Sequence, residues 1–308
     1  MNILFYTPGT DSAPWIASLQ RALPAARIDL WPAASASETD YAVVWKPPPE
    51  LVAMLERVKA IFNLGAGVDS MPDLSMLPSS VSLVRLDDAG MAEQMVEYVC
   101  HVVLRRYREF DVYAAQQGEA RWQQRPRLSK STFMVGILGA GVLGTAVAGA
   151  LVQLGFPVRS WSRARKAIPR VTSFAGMQEL DDFLAATRVL VCLLPLTRDT
   201  EKLLDAVRLS RLPRGAYLVN VARGALVVDA GLIALLDKGH LAGATLDVFR
   251  DEPLPAGHPF WHHPRIVLTP HISAVTLVEQ SIAQIAGKIR QLEAGLPITG
   301  IVERQRGY

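Results

Sequence analysis

No charged residue occurs between Ser131 and Val158, and this stretch constrains the fold more than any other part of the chain. It opens with a compact apolar run, Phe133 to Leu138, then passes through Gly139-Ala-Gly141-Val-Leu-Gly144 into an Ala-, Leu- and Val-rich segment, Val142 to Leu154. A short apolar run followed by helical spacing reads as strand, glycine turn, helix. Each glycine then has a task. The first makes the tight turn, the second lets backbone approach a pyrophosphate, and the third lets helix pack on strand, while the helix N-terminus supplies N–H groups and a positive dipole. An uncharged stretch of this length could also span a bilayer. Five glycines from Gly136 to Gly149, followed by Gly155-Phe-Pro157, oppose that reading, because each costs about 1 kcal/mol in a helix relative to alanine.

At 308 residues the chain is long enough for two domains of ordinary size. Half its residues are apolar and a fifth charged, the balance of a soluble globular protein. With 32 basic against 29 acidic residues, the net charge of +3 is too small and too scattered for a nucleic-acid or membrane-surface protein. Cys100 and Cys192 lie in apolar stretches with neither C-x-x-C nor zinc spacing, which points to packing roles and a reduced, cytoplasmic compartment. The N-terminal MNILFYTPGT has no basic leader and too short an apolar run for a signal peptide, and reads as a first strand.

Compact apolar runs predict strands at Ile3–Tyr6, Tyr41–Trp45, Ala60–Asn63 and Val81–Leu86, with helices at Trp15–Ala22 and Glu50–Arg57. Met91 to Gln116 then carries one pattern without Pro or Gly, predicting a single helix long enough to bridge two domains. The arm GEARWQQRPRLSKST follows as a polar, basic connector. Beyond it, strands are expected at Phe133–Leu138, Val158–Trp161, Val189–Leu193, Tyr217–Asn220, Ala244–Val248 and Ile266–Leu268 with helices between most of them, a doubly wound, mainly parallel α/β sheet. Asp229 to Lys238 reads as a helix capped by Asp229 and stopped by Gly239. Val275 to Leu292 is a last amphipathic helix, expected to return to the first domain. The expected division is a discontinuous first domain, 1–94 with 276–308, around a dinucleotide-binding domain, 95–275.

In an open parallel sheet, ligands gather outside the carboxyl ends of strands. Three chemically apt residues fall there: Arg223 after Tyr217–Asn220, Glu252 after Ala244–Val248, and His271 after Ile266–Leu268. Arg223 offers a planar fork that holds a carboxylate bidentately and polarises a neighbouring carbonyl. His271 can donate a proton to a carbonyl oxygen near neutral pH, and Glu252 would favour the imidazolium and orient its ring. Each of the three also has a plain reading as a surface or loop residue; taken together beside a glycine turn they favour chemistry. Four histidines, His258, His262, His263 and His271, raise the question of zinc, but Pro259 and Pro264 break any His-x-x-x-His helix and no cysteine is near, so no metal is expected.

The chain resembles the D-2-hydroxyacid dehydrogenase family, and within it a branch that reduces glyoxylate and hydroxypyruvate. The resemblance is carried by Asn63-Leu-Gly-Ala-Gly-Val-Asp69, Gly139-Ala-Gly-Val-Leu-Gly144, Leu193-Leu-Pro-Leu-Thr197, Asn220-Val-Ala-Arg-Gly224, Leu246-Asp-Val-Phe249 with Glu252-Pro253, and Thr269-Pro-His-Ile-Ser273. It implies a Rossmann-type domain beside a flavodoxin-like substrate domain, with Arg223 binding substrate, His271 donating the proton and Glu252 pairing with it. It also implies a substrate carboxylate on the amides around Ala66, Gly67 and Val68, with Trp45 and Met91 lining a small pocket. For the cofactor it implies contacts from Gly139, Gly141, Val142, Leu143, Gly144, Trp161, Ser162, Leu194, Pro195, Val221, Ala222, Arg223, Asp247, His271 and Ser273, with the glycine turn at the pyrophosphate and Asp247 touching the nicotinamide carboxamide. A homodimer is implied too, with the helix after Met91 and the Trp122 arm contributing.

NAD-specific members of the family carry an acid at the end of the second strand, where it accepts hydrogen bonds from the ribose 2′-OH. Here Ser162 stands at that position, followed by Arg163, Arg165 and Lys166. A hydroxyl with guanidinium groups would hold a 2′-phosphate that an acid would repel, so NADP(H) is expected over NAD(H), with NAD(H) possible. The substrate expected is a small 2-oxo acid, with no nucleic-acid or membrane partner. Two other readings stay open at this point: a broad 2-ketoacid reductase acting on larger substrates, and a non-catalytic dinucleotide sensor on the same fold.

Overall fold

The computed structural model describes residues 1–9, 11–32, 38–69, 71–72 and 77–304. Two compact units divide the chain, Met1–Met91 with Thr276–Tyr308, and Ala92–Val275. The last four residues, included in the expected first domain, lie outside the described ones.

Five parallel strands build the first unit: β1 (Asn2–Tyr6), β2 (Arg27–Leu30), β3 (Tyr41–Val44), β4 (Ala60–Asn63) and β5 (Ser82–Val84), in the order β2-β1-β3-β4-β5. This is the flavodoxin-like order. Every residue of β3 and β4 is buried, which is why those runs are apolar throughout: a central parallel strand is covered on both faces. Helix α1 (Ala13–Ala22) packs on the last helix, α9 (Val278–Glu293), which buries Ile282, Ile285, Ala286 and Ile289. Helix α2 (Pro49–Met54) lays Leu51 and Val52 into a core with Leu4, Val44, Ile61 and Leu83.

The second unit holds seven parallel strands: β6 (Val135–Leu138), β7 (Val158–Ser162), β8 (Val171–Ala175), β9 (Val189–Cys192), β10 (Ala216–Asn220), β11 (Leu241–Leu246) and β12 (Ile266–Leu268). Their order, β12-β11-β10-β9-β6-β7-β8, reverses direction between β6 and β9, which marks the ligand crevice of a doubly wound sheet. Alternate residues of each strand feed opposite cores. Leu190, Cys192 and Leu218 join Leu180, Phe183, Leu232 and Leu236 on one face. Val189, Val191 and Val219 join Val99, Val103, Val147 and Leu151 on the other. The second set comes from α3 (Met91–Tyr107) and α5 (Val142–Gln153), and the first from α6 (Leu180–Ala185) and α8 (Asp229–Asp237), where α7 (Ala206–Leu209) adds Leu209. No helix among the described residues is long and apolar enough to cross a membrane.

Several expectations need correction. The single helix predicted from Met91 to Gln116 is two, α3 and α4 (Phe110–Gly118), because Glu109 takes a left-handed conformation with φ of 55°. Polar contacts offset the strain at this corner: Asp111 accepts from Arg105 Nε at 2.5 Å and Arg106 Nη1 at 3.2 Å, and Glu109 accepts from Arg125 Nε at 3.0 Å. Asp229 is the first residue of α8 rather than its cap, a place held by Val228. At the other end Gly239, with φ of 64°, stops the helix as expected, its amide donating to Leu236 and that of His240 to Leu235. Strand β11 starts at Leu241, earlier than predicted, since Gly243 leaves room for the Tyr217 ring, which a Cβ would meet at 2.7 Å. Strands β2 and β8 were not expected: both are edge strands, half exposed and too polar for an apolar-run criterion.

The three motif glycines differ in what demands them. A Cβ on Gly144 would collide with the Gly139 carbonyl oxygen, and one on Gly139, at φ of 115°, with the backbone of Leu193 at 2.7 Å. Gly149, also in α5, has open space around it. Gly144→Ala is therefore expected to destabilise the protein by about 1–3 kcal/mol through overpacking, whereas Gly149→Ala should stabilise it by about 1 kcal/mol. Thermal melting of the two variants checks both signs.

Candidate active site

Because the strands of the second sheet are parallel, the loops after β6, β9, β10, β11 and β12 all leave from one edge. After β6 comes the glycine turn. Gly141, unlike its two neighbours in the motif, meets nothing within 4 Å at its missing Cβ position. Internal packing thus explains Gly139 and Gly144 but not Gly141, which keeps backbone open to an approaching group. The N-terminus of α5, where Val142 is exposed, Leu143 half-buried and no acidic residue stands in the first turn, offers its amides there. These residues fit a dinucleotide pyrophosphate. From the loop after β9, Leu194 is buried and Pro195 exposed.

The loop after β10 is held by Asn220, whose side chain accepts from the Ala222 amide at 3.2 Å and donates to the Arg223 carbonyl at 2.9 Å. Val221 and Ala222 are buried, and the Arg223 guanidinium donates to the Ala222 carbonyl at 2.6 Å. Gly224 lies so tightly on the backbone of Phe249 and Arg250 that no side chain would fit, so the loops after β10 and β11 are pressed together. The second of these presents Glu252. One carboxylate oxygen accepts from the Phe249 amide at 2.9 Å, and the other meets His271 Nδ1 at 2.7 Å. Both side chains remain partly exposed, so the imidazole can reach a ligand.

Asp247, at the end of β11, is fully buried and has no cation as its partner among the described residues. Its carboxylate accepts from the Thr269 hydroxyl at 2.5 Å and from the amides of Ile272 at 2.9 Å and Ser273 at 2.8 Å. Its carbonyl accepts from the His271 amide at 2.9 Å, and His271 sits at φ of 56°, a left-handed conformation rare outside glycine. Beside Thr269 stands the Tyr98 hydroxyl at 2.5 Å, its phenol pushed up to about 12 by burial. Asn220, Thr269 and Tyr98 were not singled out from sequence; Thr269 lay inside a quoted motif, while a tyrosine on a remote helix gave no signal.

At the end of β7, Trp161 is buried in the core and donates its indole N–H to the Gly176 carbonyl at 2.8 Å. Ser162 turns its hydroxyl to the Ala164 carbonyl at 2.7 Å. Arg163 and Lys166 are exposed. Arg165 pairs with Glu179 at 2.5 Å and also reaches the Ser173 carbonyl, so the basic loop folds back on β8. Glu179, which also accepts from the Ala175 amide at 2.7 Å, was not foreseen as a partner.

In the first unit, Asn63 Nδ2 donates to the carbonyls of Gly65 at 3.1 Å and Gly67 at 2.8 Å, fixing the glycine turn. A Cβ on Gly65 would meet the Trp45 ring at 2.5 Å. The amides of Ala66, Gly67 and Val68 make no backbone hydrogen bond among the described residues. Val68 and Met91 are buried and Trp45 half-buried. Of the remaining histidines, His258 lies 3.5 Å from Asp229 and His263 3.3 Å from Asp237. Among the described residues no group of three or more His, Cys, Asp or Glu could hold a metal ion.

A dinucleotide sheet whose strand ends carry a His–carboxylate pair and an arginine is the framework of a nicotinamide-dependent dehydrogenase. The family model for the NAD binding domain of D-isomer specific 2-hydroxyacid dehydrogenases matches residues 100–273. Glyoxylate/hydroxypyruvate reductase A of Salmonella newport (strain SL254) is 48% identical over the full length of both chains. Among solved structures, a D-isomer specific 2-hydroxyacid dehydrogenase from Xanthobacter autotrophicus Py2, in complex with NADPH and MES, is 40% identical with a TM-score of 0.94, covering 100% of this chain and 99% of that one. An NADPH-dependent glyoxylate/hydroxypyruvate reductase from Sinorhizobium meliloti, in complex with NADP and sulfate, is 34% identical with a TM-score of 0.93 and the same coverage. The chain belongs to the D-isomer specific 2-hydroxyacid dehydrogenase family, and it is an enzyme.

Asp247→Asn would set an NH2 donor against amide donors in a buried site. The expected cost is about 2–3 kcal/mol, the range for a hydrogen bond to a charged group, read as a lowered midpoint in denaturant unfolding.

Proposed function

We propose that this enzyme reduces small 2-oxo acids with NADPH, glyoxylate to glycolate and hydroxypyruvate to D-glycerate foremost. The observation that carries the reading is the 2.7 Å pair of His271 Nδ1 and Glu252 at the ligand-facing edge of the dinucleotide sheet. With Nδ1 committed to Glu252, Nε2 is left to hold and deliver a proton to the substrate's carbonyl oxygen. Arg223 would hold the carboxylate and polarise that carbonyl. In the first unit, the amides of Ala66, Gly67 and Val68 would suit a carboxylate, with Trp45 and Met91 as that unit's other substrate residues. The nicotinamide cofactor, when bound, supplies the hydride.

Preference for a phosphorylated cofactor is supported by the absence of an acid at the end of β7, where Ser162 leads into Arg163, Arg165 and Lys166. Among similar proteins, those from Xanthobacter autotrophicus and Sinorhizobium meliloti are described with NADPH and NADP. Gly139, Gly141, Val142, Leu143 and Gly144 would cradle the pyrophosphate, and Leu194, Pro195, Val221, Ala222, Asp247 and Ser273 would line the nicotinamide half. A homodimer is supported by Trp122, which stands fully exposed on the arm after α4. Free Cys100 and Cys192, the latter's thiol pushed up to about 12 by burial, suit a reducing cytoplasm.

A spectrophotometric panel of NADPH and NADH against glyoxylate, hydroxypyruvate, pyruvate and phenylpyruvate tests this reading. Glyoxylate and hydroxypyruvate should lead, and NADPH should exceed NADH in kcat/KM by about tenfold or more, equivalent to one charge-assisted contact at the 2′-phosphate. Equal rates with both cofactors would sink the role of the basic loop. Comparable efficiency on phenylpyruvate would favour a broad 2-ketoacid reductase, and tight NADPH binding without turnover a sensor.

A further inference from the structure

We propose that α3 is a two-point clamp on the loop that carries His271, with Gln94 and Tyr98 as positioning residues for the proton donor. The two side chains are four residues apart on one helix, so they share a face one turn apart. Gln94 grips Val275 by both backbone groups, donating from Nε2 to its carbonyl at 3.0 Å and accepting at Oε1 from its amide at 3.1 Å. Tyr98 meets the Thr269 hydroxyl at 2.5 Å. The direction of that bond is fixed by chemistry. Thr269 has one hydrogen, and it goes to the Asp247 carboxylate, which can only accept; the hydrogen between Tyr98 and Thr269 must therefore come from the phenol.

The clamp closes on a segment with no regular secondary structure, Thr269 to Val275, at both of its ends. Its middle is fastened to Asp247, which takes the amides of Ile272 and Ser273 on its carboxylate and that of His271 on its carbonyl. A left-handed residue such as His271, at φ of 56°, persists only where its surroundings over-determine it, and these bonds are what over-determine it. Burial keeps the Tyr98 phenol in its protonated, donating form across the working pH range. Tyr98 and Gln94 touch neither His271 nor Glu252 in any of these contacts; they act through the loop.

The inference rests on His271 being the proton donor. Its test compares Tyr98→Phe, Gln94→Ala, Thr269→Val and Thr269→Ser with the parent. The readouts are kcat and KM for NADPH and glyoxylate, amide hydrogen exchange at His271, Ile272 and Ser273 in the cofactor-free protein, and thermal melting. Tyr98→Phe, Gln94→Ala and Thr269→Val should each lower kcat about tenfold with KM for NADPH within about twofold, as a misplaced but still folded catalytic group does. Exchange at the three amides should quicken about tenfold while protection in β9 and β10 holds. Thr269→Ser should restore both, and Tyr98→Phe combined with Thr269→Val should cost no more than the worse single change, because the two lie in one chain.

A kcat within about twofold of the parent in all three damaging variants, or unchanged exchange at His271, Ile272 and Ser273, would overturn the clamp. Should Tyr98→Phe fail to fold, Thr269→Val tests the same bond with the phenol untouched. A parent that reduces no 2-oxo acid would refute the functional reading instead, while the exchange measurements, which need no turnover, still decide the clamp.

Discussion

A fully buried carboxylate must have its oxygens satisfied by donors close at hand, and Asp247 finds three neutral ones. Isolated burial of that charge would be prohibitive; a hydroxyl and two amides from one short loop make it tolerable. The same bonds dictate the path of the loop. Thr269, Ile272 and Ser273 are drawn to the end of β11, and His271 is turned out between them toward Glu252. Without the carboxylate, the bonds that hold Thr269, Ile272 and Ser273 at the end of β11 are lost. This edge of the sheet is thus built outward from one carboxylate, and the bonds that satisfy it also set the position of His271.

Parallel strand order supplies the setting. Because β6 and β9 through β12 point the same way, residues scattered from Gly139 to His271 in sequence come to one edge of one sheet. Two tight approaches, Gly144 on the Gly139 carbonyl and Gly224 on the Phe249–Arg250 backbone, then fix the glycine turn and the arginine loop. Gly141 stands apart from both. It alone of the three motif glycines is left open, its missing side chain meeting nothing within 4 Å.

Central strands were legible in the sequence because double burial leaves an unbroken apolar run, as in β3, β4, β9 and β10. Edge strands β2 and β8 were not, since solvent on one side permits polar residues. The break at Glu109 escaped detection because no Pro or Gly marks it; it is made by a left-handed residue among side-chain charges. At the site, residue types immediately after strands pointed to Arg223, Glu252 and His271. Partners drawn from elsewhere were hidden: Glu179 for Arg165, and Tyr98 and Gln94 for the His271 loop, are contacts of tertiary structure with no local signature.

Separating cofactor binding from proton delivery tests the assignment of the strand-end residues most directly. The measurement is NADPH affinity by fluorescence alongside glyoxylate turnover for His271→Asn. If His271 is the proton donor, affinity should stay within about threefold of the parent while kcat falls by about 10²–10⁴, the usual contribution of a general acid. Turnover within about twofold of the parent would contradict that role and, with it, the reading of the Glu252–His271 pair as the catalytic centre.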